Sequence, residues 1–236
     1  MVVKATRKKK KKKRLANTKA GSGERAACRH ITTFITGMPQ PEVVWRSATS
    51  GGKATRSKIA DHTMAGDIVA IHHSAFPFTA RTVCEVKNRK KGDPREFLVW
   101  DDEQLDCCYK NKKGNLKWKQ SLVCWWKKVG MEADNAGRLP LLLVKRFGSA
   151  RWHLYMRADD MNKLRAHKPG HYPYPVVLFS NMSVESVSMV DLEQFISHFN
   201  LDDFVRAFPN VGGSRPYGGG GQIRARRVRK ASGRLL

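Results

Sequence analysis

The sequence predicts a mainly β protein. It comprises two small SH3-like antiparallel barrels with a short C-terminal helical pair, flanked by disordered basic arms. Three observations predict it. From Gly66 onward, short runs of Val, Ile, aromatics and Cys alternate with turn or charge clusters. Helical spacing appears only after Asp191. The excess positive charge is concentrated at the two ends.

Residues 1–30 hold 12 basic residues and one acid, Glu24, and read as a disordered basic arm. Its centre is a run of seven cations, Lys8, Lys9, Lys10, Lys11, Lys12, Lys13 and Arg14, which repel one another and bury nothing. The run fits a nuclear-localisation signal and points to the nucleus. A solubilising tail and a mitochondrial transit segment are the alternatives, although transit segments favour Arg and Ser over bare lysine.

Residues 31–64 are left as a linker or extended segment. Ile31–Ile35 and Glu42–Trp45 look extended, and Ser47–Lys58 returns to linker composition. The first barrel is placed at 65–130, with strands at Asp67–Ile71, Ala80–Val86, Glu96–Trp100, Leu105–Tyr109 and Ser121–Trp126. Met131–Arg138 reads as a polar linker. The second barrel, at 138–208, takes strands at Pro140–Lys145, Arg151–Arg157, Pro175–Phe179 and Val184–Val190. Its two closing helices start at the capping patterns Asp191-Leu192-Glu193-Gln194 and Asn200-Leu201-Asp202-Asp203. Leu192, Phe195, Ile196 and Phe199 form one apolar stripe, and Leu201, Phe204, Val205 and Phe208 another. Residues 209–236 are a Gly-rich hinge and an Arg-rich tail with seven basic residues and no acid.

The chain carries 45 Lys and Arg against 20 Asp and Glu, a formal charge of +25. A polyanion is the partner such a charge implies: DNA or RNA, free or within a nucleosome or ribonucleoprotein. No apolar run is long enough to span a bilayer, so no membrane partner is expected. No small-molecule substrate is evident. The five cysteines, Cys28, Cys84, Cys107, Cys108 and Cys124, are odd in number and read as thiols of a reducing compartment. With His72 and His73 they lack zinc-ligand spacing, so no metal or cofactor is expected. No catalytic arrangement stands out, and the expectation is a non-enzymatic protein.

Gly66-Asp67-Ile68-Val69-Ala70-Ile71, followed by Phe76-Pro77-Phe78-Thr79-Ala80-Arg81, resembles the opening of a PWWP domain. Lys145, Gly148, Trp152 and Val176–Phe179 resemble the same family in the second block, where Ser149 and Ala150 replace the usual aromatic and proline. The resemblance implies chromatin reading, with DNA phosphates on a basic face and methyl-lysine in an aromatic cage. Position by position it offers Phe76, Phe78 and Trp100 as cage rings; their alternative role is ordinary core packing.

The candidate nucleic-acid contacts are Lys8–Arg14, a first loop with Lys87, Arg89, Lys90 and Lys91, and a second with Lys110, Lys112, Lys113 and Lys117. Arg224, Arg226, Arg227 and Arg229 of the tail complete the set. Tyr109, Trp118, Trp125 and Trp126 are interleaved, which suits phosphate contact combined with base stacking. A ribosomal or ribosome-assembly protein and a viral nucleocapsid or coat protein are the alternative functions.

Overall fold

The computed structural model describes residues 21–47, 65–89, 92–98, 107–112, 114–146, 149–168, 170, 177–181, 184–209 and 211. Over these residues the chain is mixed α/β, and no closed barrel is present among them. The mainly β expectation with two SH3-like barrels is therefore corrected. The sequence reading puts strands β3 (Thr82–Arg89) and β6 (Leu139–Arg146) in different barrels. They instead pair in parallel, Thr82 with Leu139 through Arg89 with Arg146. A parallel pair needs a crossover, and helix α3 (Leu122–Ala136) supplies it.

Helix α3 lies where a strand, Ser121–Trp126, and a polar linker, Met131–Arg138, were expected. Its Val, Cys and Trp residues favour strands by composition, yet Leu122, Trp125, Trp126, Val129 and Ala133 recur at helical spacing and are all buried. Ser121 caps the start by accepting from Cys124 N–H, and Gly137, at φ 63°, ends it. Glu96–Trp100 is likewise no strand as far as it is described. Pro94–Phe97 is a 3-10 turn closed by an Asp93/Glu96 capping box, and Glu96 also accepts from Leu122 N–H.

The five-stranded sheet runs β3–β6–β7–β9–β8, with β7 at His153–Arg157, β8 at Val177–Asn181 and β9 at Val184–Asp191. Apart from β3–β6, its pairings are antiparallel. Helix α3 covers one face, meeting Val83, Leu142, Val144 and Tyr155. The other face bears the larger core, built on Cys84, Val86, Leu141, Leu143, Leu154 and Val190. Onto it pack α2 (Phe76–Thr79), α4 (Ala158–His167), α5 (Leu192–His198) and α6 (Leu201–Ala207). The last two begin at the capping residues Asp191 and Asn200.

A helix over 21–36, α1, joins the same core through Ala27, Cys28, Ile31 and Phe34. The disordered arm therefore cannot extend to residue 30, and Ile31–Ile35 is helical where an extended piece was expected. After α1, the short antiparallel ribbon β1 (Val44–Arg46) and β2 (Ile68–Ala70) brings the chain beside β3. A second ribbon, β4 (Cys108–Lys110) with β5 (Leu116–Trp118), precedes α3. The cysteines are also corrected, because Cys107 and Cys124 form a disulfide that ties this ribbon to the first turn of α3.

Candidate functional site

Strand β3 is the edge strand of the main sheet, and the chemistry gathers on it. Alternation places Val83, Glu85 and Lys87 on the face covered by α3. Glu85 is only 5% exposed. Its Oε1 accepts from Lys87 Nζ, two residues on, and from Lys128 Nζ of α3 at 3.1 Å. Lys128 in turn lies 3.2 Å from Glu132, one helical turn along. Burying a carboxylate requires such partners, and here two lysines supply them.

Asp67, just before β2, lies against the open edge of β3. Its N–H donates to Cys84 O at 2.7 Å, and its Oδ2 accepts from Val86 N–H at 2.9 Å. A side-chain oxygen thus satisfies a backbone donor that an edge strand would otherwise present to a stranger. The approach depends on Gly66. Its φ is 90°, and a Cβ there would sit 2.7 Å from Cys84 O. Gly66→Ala should cost about 1–3 kcal/mol in denaturant unfolding, because both the dihedral and the contact are then strained. An unchanged unfolding midpoint would refute this account of the edge.

The result is a cluster of oxygens around one cation. Lys87 Nζ donates to Glu85 Oε1 and, at 3.4 Å, to the carbonyl of Val86, and it lies 3.8 Å from Asp67 Oδ2. Burial, with the nearby Glu85 charge adding to it, pushes the Asp67 carboxyl up to about 7. Burial also pushes Glu85 upward, but Lys87 and Lys128 outweigh it and hold that group below its ordinary range. The pair therefore takes its first proton at Asp67. Among the described residues no three His, Cys, Asp or Glu side chains converge as a ready-made metal cluster. The set that faces the Lys87 ammonium is two carboxylates and a backbone carbonyl.

Helix α1 closes the neighbourhood. Gly23 comes so near β3 that a Cβ would fall 2.6 Å from Asn88 Cβ. One residue on, Glu24 Oε2 is 3.2 Å from Arg46 Nε of β1, and that oxygen is buried without a hydrogen bond. Glu24, Arg46 and Asp67 all act electrostatically on the buried Cys28 thiol, which burial above all pushes up to about 12.

The residues singled out in the sequence are dispersed by this fold. Lys87 belongs to the carboxylate cluster, while Arg89 is exposed at the end of β3. Lys110, Lys112 and Lys117 are exposed on the β4–β5 ribbon. Alternation sets Lys117 beside Tyr109 on one face and Lys110 on the other, so the three do not form one patch. Trp125 and Trp126 are buried under the sheet instead of facing a ligand. Of the cage rings, Phe78 is 2% exposed and packs on Phe34 and Phe204, so it is a core ring. Phe76, two positions earlier on α2, is 53% exposed, and the two rings do not converge. Trp100, Lys90, Lys91, Lys113, Lys8–Arg14, Arg224, Arg226, Arg227 and Arg229 lie outside the described residues.

The cluster of Asp67, Glu85, Lys87 and Lys128 was missed as chemistry. Its signal was Glu-Val-Lys on a strand, which puts an acid and a base on one face, preceded by a Gly-Asp pair. No family model, curated protein or solved structure matches this chain.

Proposed function

We propose that this chain hydrolyses phosphodiester bonds of nucleic acid, using a divalent cation held by Asp67, Glu85 and the Val86 carbonyl. The observation that carries the reading is the convergence of these three oxygens on the Lys87 ammonium. An all-oxygen set with two carboxylates suits Mg²⁺, which completes its shell with waters and substrate phosphate. A charge of +25 supplies the attraction for a polyphosphate backbone.

When bound, the cation would polarise the phosphoryl group and lower the pKa of a coordinated water. Each residue then has a task. Asp67 and Glu85 fix the cation against β3. Lys87, on a flexible stem beside them, compensates the charge that develops on the phosphoryl oxygens. Lys128 holds Glu85 from the far side, with Glu132 behind it. In the reaction a water oxygen bonds to phosphorus as one P–O ester bond breaks. The attacking water gives its proton to solvent, and the departing ester oxygen takes one up.

A second reading has its own observation. Two carboxylates and two lysines balance, so the cluster also suits a structural ion network in a protein that binds nucleic acid without cutting it. In that reading the basic ends do the binding, in line with the chromatin, ribosomal and nucleocapsid alternatives. Incubation of labelled single-stranded and duplex DNA and RNA with the full chain separates the two. Strand cleavage with Mg²⁺ or Mn²⁺ that stops in EDTA supports hydrolysis. Retained binding without cleavage in any metal supports the structural network.

A further inference from the structure

The ribbon that delivers Asp67 also carries an exposed apolar strip. Trp45 of β1 pairs with Val69 of β2, and Ser47 N–H donates to Asp67 O, so the register continues to Ser47 opposite Asp67. Cross-strand partners and their i±2 neighbours share one face, so Trp45, Val69, Ile71 and Asp67 are co-facial. Trp45 lies diagonal to Asp67, a spacing of about 7–8 Å that an indole can bridge. Trp45 is 38% exposed and Ile71 is 58% exposed, while Val69 between them is half-buried. An indole left open on the face of the ribbon that carries Asp67 is poorly suited to a phosphate and well suited to the flat face of a base.

We propose that Trp45 is a positioning residue that stacks on an unpaired nucleobase next to the scissile phosphate. The inference rests on the hydrolytic reading and adds the substrate class to it. A base inside a duplex has both faces covered, so the preferred substrate contains unpaired nucleotides: a single strand, a flap or a junction. Val69 and Ile71 extend the platform away from Asp67, giving room for the neighbouring sugar.

Binding without chemistry tests this separately from the metal centre. The probes are a single-stranded DNA containing 2-aminopurine and the same sequence as a closed duplex, both in EDTA with the full chain. Stacking on Trp45 should quench 2-aminopurine fluorescence in the single strand. Trp45→Ala should remove the quenching and weaken single-strand binding about 5- to 150-fold, with duplex binding unchanged. Trp45→Phe should restore most of the affinity. In Mg²⁺, Trp45→Ala should raise KM on single strands and leave the calorimetric affinity for Mn²⁺ within a few-fold of wild type. Equal losses on both probes, or no loss on either, would overturn the proposal. If single-strand preference depends on Trp45 but nothing is ever cleaved, the stacking role stands and the hydrolytic reading falls.

Discussion

Asp67→Asn and Glu85→Gln should each lower the Mg²⁺-dependent cleavage rate by about 10³-fold or more, while leaving nucleic-acid affinity in EDTA within a few-fold of wild type. Each removes one anionic ligand from a set of two, and cation polarisation is worth several kcal/mol in the transition state. Lys87→Ala should lower the rate by about 10²–10³-fold, as for loss of one donor to a developing oxyanion. Stability separates these variants from unfolded ones. The folded-state pKa of Asp67, about 7, lies above the ordinary carboxyl value of 3.8. Its contribution to stability is therefore fully present below about pH 4 and is lost as the pH rises through about 7. Asp67→Asn deletes that slope, so it should melt no lower than wild type at pH 8. An Asp67→Asn protein that is folded and still cuts at the wild-type rate would remove the cluster from the reaction.

The second large effect concerns the ends. Residues 1–20 hold 10 basic residues and 212–236 hold seven, with no acid in either stretch, so deleting both lowers the net charge from +25 to +8. With about 6–10 phosphates neutralised, affinity of the intact chain for duplex should fall about 10³–10⁵-fold between 50 and 200 mM salt. The truncated chain should bind weakly with a much flatter slope, and its melting temperature should match the intact one. The cut must stop at residue 20, because Ala27, Cys28, Ile31 and Phe34 of α1 are core residues. Equal salt slopes for the two chains would show that the described core binds by itself.

The sequence carried the short-range signals of this fold and hid its long-range ones. Asp191 and Asn200 mark α5 and α6 because a capping pattern is written within four residues: Asp191 accepts from Glu193 and Gln194 N–H, and Asn200 and Asp203 close a full box. Strands β2, β3, β6, β7 and β9 fall close to their apolar runs for the same local reason. Helix α3 is concealed in the sequence because Val, Cys and Trp favour strands by composition, and only their spacing is helical. Helix α1 was hidden by the adjacent lysine run, which drew Gly21–His30 into the arm. The parallel pairing of β3 with β6 joins distant segments and decides the fold class, and no local pattern announces it. The site followed the same rule. The sequence reading ends the strand at Val86 and puts Lys87 in a loop, whereas β3 runs on through Arg89 and so sets Glu85 and Lys87 on one face; only the ribbon's path, with Gly66 pressed on Cys84, brings Asp67 beside them. Counted by charge alone, Lys87 looked like one more phosphate contact.

Calorimetric titration of Mn²⁺ into the full chain near pH 7, repeated in buffers of different ionisation enthalpy, tests the metal centre most directly. A cation binding between Asp67 and Glu85 must displace the Lys87 ammonium that lies between them, together with the proton that the raised Asp67 carboxyl holds. Wild type should bind one Mn²⁺ and release protons near neutral pH, with the release shrinking as the pH rises, because burial and the Glu85 charge raise the Asp67 carboxyl above its ordinary range. Asp67→Asn should neither bind comparably nor release the proton. Mn²⁺ binding of equal strength in both proteins, or none in wild type, would contradict the assignment of this cluster as a cation site.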